Sequence, residues 1–176
     1  MSAGLILTGA PGTGKSSVLD ALSTLLEIKQ TAFGAIEAEQ LARGWPWLAS
    51  SEWLPQLASV IALQHSAGRD LFLVVATTET QSELRGVIEA LSVDRVIVVC
   101  LVAPPEVVAG RIADREPDSW PGKTPLIAHA RELATTIPAL PGLDAVLNTH
   151  GRSAVQVAAQ VHEVLRDHHL LPMRAT

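Results

Sequence analysis

Close to the amino terminus, Gly9-Ala10-Pro11-Gly12-Thr13-Gly14-Lys15-Ser16 form the pattern G-x-x-x-x-G-K-S. No other stretch constrains the chain as strongly, because each residue type in it answers a demand of a triphosphate tail. The glycines let the backbone curl until successive N–H groups point inward at phosphate oxygens. The Lys15 ammonium suits the β- and γ-phosphates, and the Ser16 hydroxyl suits a Mg²⁺ ion. Ser17 continues the first turn of a helix whose positive dipole end adds to the attraction. Leu5-Ile6-Leu7 ahead of the loop reads as a buried strand. Val18, Leu22 and Leu25 behind it, flanked by Leu19 and Leu26, have amphipathic-helix spacing. Strand, glycine loop and helix are the context that the pattern needs, so residues 9–17 are expected to bind a nucleoside triphosphate.

The rest of the chain alternates in the same way. Residues 31–36 read as a second strand that delivers Glu37 and Glu39 at its carboxyl end. Residues 41–53, rich in tryptophan, carry no assignable period, and a helix is expected over 57–67 with Gly68 as its stop. The continuous apolar run 71–76 is too short for a helix pattern and suits a central parallel strand. Thr80-Gln81-Ser82-Glu83 has capping-box spacing ahead of Leu84, Val87, Ile88 and Leu91. Further strands are expected at 95–102 and 144–148. Further helices are expected at 104–115, at 124–137, and from Ser153 along Val157, Val161 and Val164. Five strands alternating with helices imply an α/β fold, a parallel sheet covered on both faces, with the ligand site along the carboxyl edge.

Composition narrows the function classes. The 176 residues suit one domain, 1–176, and a net charge of −5 disfavours a nucleic-acid partner. Cys100 is the single cysteine, so an intramolecular disulfide is impossible, and its apolar neighbours make it a small core residue. The clear apolar stretches reach about eight residues against roughly twenty for a membrane span. Without a basic leader ahead of the phosphate loop, the expected compartment is the cytoplasm. The histidines show no metal-ligand spacing.

Taken with Ile36-Glu37-Ala38-Glu39, Arg111-x-x-x-Arg115 and Asn148-Thr149-His150-Gly151-Arg152-Ser153, the loop makes nearly the whole chain resemble a family. It is that of small P-loop kinases of the nucleoside monophosphate kinase-like group, which includes shikimate kinase, gluconate kinase and chloramphenicol phosphotransferase. The resemblance implies a sheet ordered 2-3-1-4-5, an ATP site at its carboxyl edge and a mobile lid, here at about 114–123. It also implies an acid at Glu39 that activates an acceptor hydroxyl, with Glu37 in support; Glu in place of the Asp common there adds a methylene. Two solvated loop acids would give the same sequence. Glu79 follows the third strand, where many P-loop proteins place an aspartate for the metal, although helix-dipole stabilisation is an equal reading.

Arg111 and Arg115, four apart, share a helix face and resemble lid arginines that neutralise charge on the transferred phosphoryl group. Surface pairing with Glu106, Asp114 or Glu116 is the alternative. Arg131 is a further phosphate candidate. Arg152 lies where the family contacts adenine, and Trp45 and Trp47 lie where it builds the acceptor pocket. The expected function is transfer of the γ-phosphate of Mg-ATP to a small-molecule acceptor. Alternatives are a nucleotide-binding regulatory module with slow hydrolysis and, less well supported, an oligomeric motor ATPase.

Overall fold

A computed structural model of the chain describes residues 1–171. Its strands are β1 (Ala3–Thr8), β2 (Gly34–Glu37), β3 (Leu71–Val75), β4 (Arg95–Val102) and β5 (Ala145–Asn148). They form one sheet in the order β2-β3-β1-β4-β5, and every pairing is parallel. The helices are α1 (Lys15–Ile28), α2 (Ala38–Ala42), α3 (Ser50–Ser66), α4 (Gln81–Leu91), α5 (Pro105–Arg115), α6 (Lys123–Thr136) and α7 (Ala154–Asp167).

The sheet is covered on both sides, which explains why β1 and β3 are apolar without alternation. On one side Leu5, Leu7, Leu73 and Val99 pack with Leu22 and Leu26 of α1 and Val161 of α7. On the other, Ile6, Phe72, Val74 and Val98 pack with Leu57 and Ile61 of α3 and Leu84 and Val87 of α4. Leu22 is fully buried, so truncating it to alanine would cost about 2–5 kcal/mol. Cys100 is buried on β4, as its neighbours imply, and burial pushes its thiol up to about 11.

Three boundaries differ from the sequence reading, each for a local reason. Strand β2 begins at Gly34 rather than at 31, because its partner β3 offers pairing only from Leu71 onward and Gly34 already lies opposite Phe72. The chain turns into α2 straight after Glu37, so Glu39 sits in a helical first turn and not on an extended strand end. Helix α3 starts at Ser50, well before 57, despite Pro55. Glu52 accepts the Ala49 N–H at 2.9 Å and secures that start. The partner that Pro55 denies the Ser51 carbonyl costs little, since Ser51 is exposed. The capping box predicted at Thr80 is present, with the Glu83 N–H on Thr80 Oγ1 at 3.2 Å and the Thr80 N–H on Glu83 Oε2 at 3.3 Å.

Candidate active site

At the carboxyl edge of β1 the chain curls through residues 9–14 and enters α1. Gly9 has φ +137°, and a Cβ there would collide with the Leu101 carbonyl oxygen of β4. Gly14 caps α1 at φ +92°, a left-handed position that favours glycine. Helix α1 has no side-chain cap and no acidic residue in its first turn, so its leading N–H groups remain available to an outside anion.

Gly14 lines a cavity of about 460 Å³ together with Pro11, Gly12, Lys15, Ser16, Ser17, Glu37, Glu39, Arg111 and Arg115. Lys15 is buried, and its ammonium donates to the carbonyls of Gly9 at 2.7 Å and Ala10 at 3.2 Å. Burial lowers its pKa to about 8, opposed most by the charge of Glu39. Thr13 braces the turn by donating to the Ala10 carbonyl at 2.8 Å. No trio of His, Cys, Asp or Glu converges as a metal cage among the described residues. The donors facing this cavity include hard oxygens, among them the exposed Ser16 hydroxyl and the Glu37 carboxylate. That set fits Mg²⁺, which keeps most of its shell in water and phosphate and takes few protein ligands.

Beside it lies a second cavity of about 210 Å³, walled by Trp47, Trp53, Leu54 and Val87 and edged by Glu39, Thr77, Glu79 and Glu83. Glu39 and Thr77 line both cavities and form the partition between them. The Thr77 N–H donates to Glu39 Oε1 at 2.6 Å, which fixes the carboxylate from the end of β3. Behind it the buried hydroxyls of Thr8 and Thr78 meet at 2.8 Å and lock the ends of β1 and β3 together.

A third hollow, of about 270 Å³, is lined by Gly14, Ser17, Arg111, Thr149 and Arg152. Arg111 spans the gap between the phosphate loop and the loop after β5. It donates to the Gly12 carbonyl at 3.1 Å, to Thr149 Oγ1 at 3.1 Å and to the Thr149 carbonyl at 3.2 Å. Arg152 is exposed and donates to the Asn148 carbonyl at 2.9 Å.

Several expected site residues stand elsewhere or are already engaged. Trp45 is 99% exposed and does not line the second cavity, whereas Trp53, which the sequence leaves aside, does. Helical phase explains this: Trp53 lies one turn before Leu57 on the face of α3 that packs toward the sheet. Glu79 does not line the cavity that Ser16 lines. It edges the second cavity, and one of its oxygens lies 2.8 Å from His129 Nε2 on α6. Arg115 lines the first cavity but donates to its neighbour Glu116 at 2.7 Å, one of the surface pairs the sequence leaves open. Arg131 is paired with Glu106 and lies away from all three hollows.

The expected lid, 114–123, is a short loop between α5 and α6, with its first residues in α5 and its last in α6. Lys123 straps it by donating to the carbonyls of Ala113 at 2.6 Å and Glu116 at 2.8 Å and to Asp118 at 2.7 Å. No helix among the described residues is long and apolar enough to cross a membrane.

Neither a protein-family model nor a curated protein sequence matches the chain. Solved structures do match over nearly its whole length. An unliganded sugar kinase from a Janibacter species gives a TM-score of 0.70 at 17% identity, over 94% of this chain and 95% of that one. An APS kinase from Mycobacterium tuberculosis, in complex with AMPPNP and APS, gives 0.64 at 21% identity, over 94% and 98%. Shikimate kinase from Acinetobacter baumannii, in complex with shikimate, gives 0.59 at 15% identity, over 96% and 95%. The chain therefore has the fold of the P-loop small-molecule kinases.

Proposed function

We propose that this chain is a kinase that transfers the γ-phosphate of Mg-ATP to the hydroxyl of a small-molecule acceptor. One observation carries the reading: a cavity lined by the phosphate loop opens beside a second cavity, and a single carboxylate, Glu39, walls both. A hydrolytic switch needs the first cavity alone. A transferase needs two, with a proton acceptor between them.

In this reading the loop amides, Lys15 and Arg111 hold the triphosphate, and the hollow beside Arg152 takes the base. Ser16, supported by Glu37, holds Mg²⁺, which when bound neutralises charge on the β- and γ-phosphates. Glu39 orients the acceptor hydroxyl and takes its proton as the oxygen attacks the γ-phosphorus. Arg115, released from Glu116, balances the charge on the phosphoryl group in flight. The loop 116–122 closes over the site and excludes water. Trp47 and Trp53 wall the acceptor; Trp45 is left out of that set. Acceptor-dependent ADP release across a panel of hydroxyl-bearing metabolites tests the reading. Turnover that ignores every acceptor would replace it with a slow NTPase switch.

A further inference from the structure

The second cavity has a charge signature of its own. The carboxylates of Glu39, Glu79 and Glu83 border it, and no Lys, Arg or His among the described residues lines it. Each carboxylate has one oxygen committed to the protein. Glu39 Oε1 holds the Thr77 N–H, Glu79 Oε1 faces His129, and Glu83 Oε2 accepts the N–H groups of Glu79 and Thr80. The other oxygen of each makes no hydrogen bond to a described residue, and none of these is a sealed, unpartnered polar atom. Even a charged His129 would leave the rim net negative. Trp47 and Trp53 present aromatic surface in the same cavity.

We infer that the acceptor is a small hydroxylated amine, an amino alcohol or amino sugar, an inference that rests on the kinase reading above. An ammonium seated near Glu79 and Glu83 meets free carboxylate oxygens and the negative faces of aromatic rings. A carboxylate, sulfate or phosphate ester in the same place would be driven out by like charge in a partly desolvated hollow. The volume, about 210 Å³, falls below the roughly 300–1,000 Å³ of pockets for drug-sized ligands, so a single ring or a short chain fits. The hydroxyl end then lies at Glu39, on the side of the phosphate loop. Its oxygen forms the new bond to the γ-phosphorus, the bond to the β–γ bridging oxygen breaks with its electron pair leaving on ADP, and the hydroxyl proton passes to Glu39.

Matched acceptors test this. Glucosamine, glucose and glucuronate share a ring and differ in charge; ethanolamine, ethylene glycol and glycolate do the same on an open chain. With Mg-ATP and the full-length protein, ADP release and the mass of the phosphorylated product are read for each. The amine member of at least one set is expected to exceed its neutral and acidic partners in kcat/KM by about tenfold or more. Glu79→Gln should erase most of that preference by raising KM for the amine far more than KM for the neutral member, with kcat nearly kept. A structural role for Glu79 would not produce that split. Equal or better use of a neutral or acidic member overturns the inference and leaves the kinase standing. No phosphorylated product from either amine, with nucleotide still bound, also overturns the inference, and the kinase reading then stands or falls on the wider acceptor panel.

Discussion

Glu39 and Thr77 lie far apart in sequence, yet the Glu39 carboxylate receives the Thr77 N–H at 2.6 Å where the two cavities meet. That bond joins the first turn of α2 to the end of β3 and leaves the second carboxylate oxygen for a ligand. Glu39→Gln keeps the shape and an acceptor oxygen for Thr77 but removes the base. Phosphoryl transfer should fall roughly a hundredfold or more in single-turnover kinetics, while calorimetry should show nearly unchanged affinity for a non-hydrolysable ATP analogue. Wild-type transfer by this variant would remove Glu39 from the chemistry.

On the proposed reading, Lys15 should make nucleotide binding sensitive to pH. Its pKa is lowered to about 8 by burial, and a bound triphosphate favours the charged amine. Below pH 8 the amine is already protonated and binding takes up no proton through it. Above pH 8 binding must draw one in, so affinity should decline as pH rises, and calorimetry in buffers of different ionisation enthalpy should show proton uptake. The same shift acts on the apoprotein with the opposite sign. The unfolded chain keeps the Lys15 proton up to its ordinary value near 10.5, so this contribution to stability is unfavourable below pH 8 and is relieved as pH rises from 8 toward 10.5.

Lys15→Met should bind Mg-ATP about tenfold to a hundredfold more weakly, the range for losing a charged hydrogen-bonding contact. The change also removes a buried charge, so the melting temperature of the apoprotein should hold or rise. A large fall in melting temperature would mean that the Gly9 and Ala10 carbonyls need the ammonium for folding.

The tryptophans are expected to separate cleanly. Trp45 is 99% exposed, so Trp45→Ala should leave melting and acceptor KM nearly unchanged. Trp53 packs against the core while lining the second cavity. Trp53→Ala should cost about 1–3 kcal/mol in denaturant unfolding and raise acceptor KM. Equal effects at the two positions would contradict this placement.

The loop 116–122 is braced by Lys123. Lys123→Met should speed amide exchange across that loop and lower turnover more than nucleotide affinity. In a variant keeping Trp120 as its sole tryptophan, fluorescence should respond to nucleotide plus acceptor. Silence of both probes would mark the segment as an ordinary turn.

What was legible in the sequence is what short stretches of chain decide. The phosphate loop, the capping box at Thr80 and the apolar strands announce themselves through neighbours a few residues away, and strand order followed from the resemblance those motifs carry. The site's cross-links were not legible. The Arg111 bridge to Gly12 and Thr149, the Thr8–Thr78 pair and the Glu79–His129 pair each join distant segments. The acids after β2 are legible, but their conformation is not: α2 starts at Ala38, so Glu39 sits in a helical first turn rather than on the strand end. Among the tryptophans, composition could not rank Trp53 over Trp45, since only the true start of α3 fixes which one turns inward.

Arg111 and Arg115 stand one helical turn apart, about 6 Å along α5, yet their tethers are unlike. Arg111 is fastened to both the glycine loop after β1 and the loop after β5, while among the described residues Arg115 holds only its own neighbour. Beyond Arg115 the Lys123 strap ties the first residues of the loop to the start of α6. A held arginine and one tethered by a single ion pair thus lie a turn apart on one helix face, so a negative charge entering the cavity can recruit Arg115 by the exchange of one carboxylate while Arg111 stays in place.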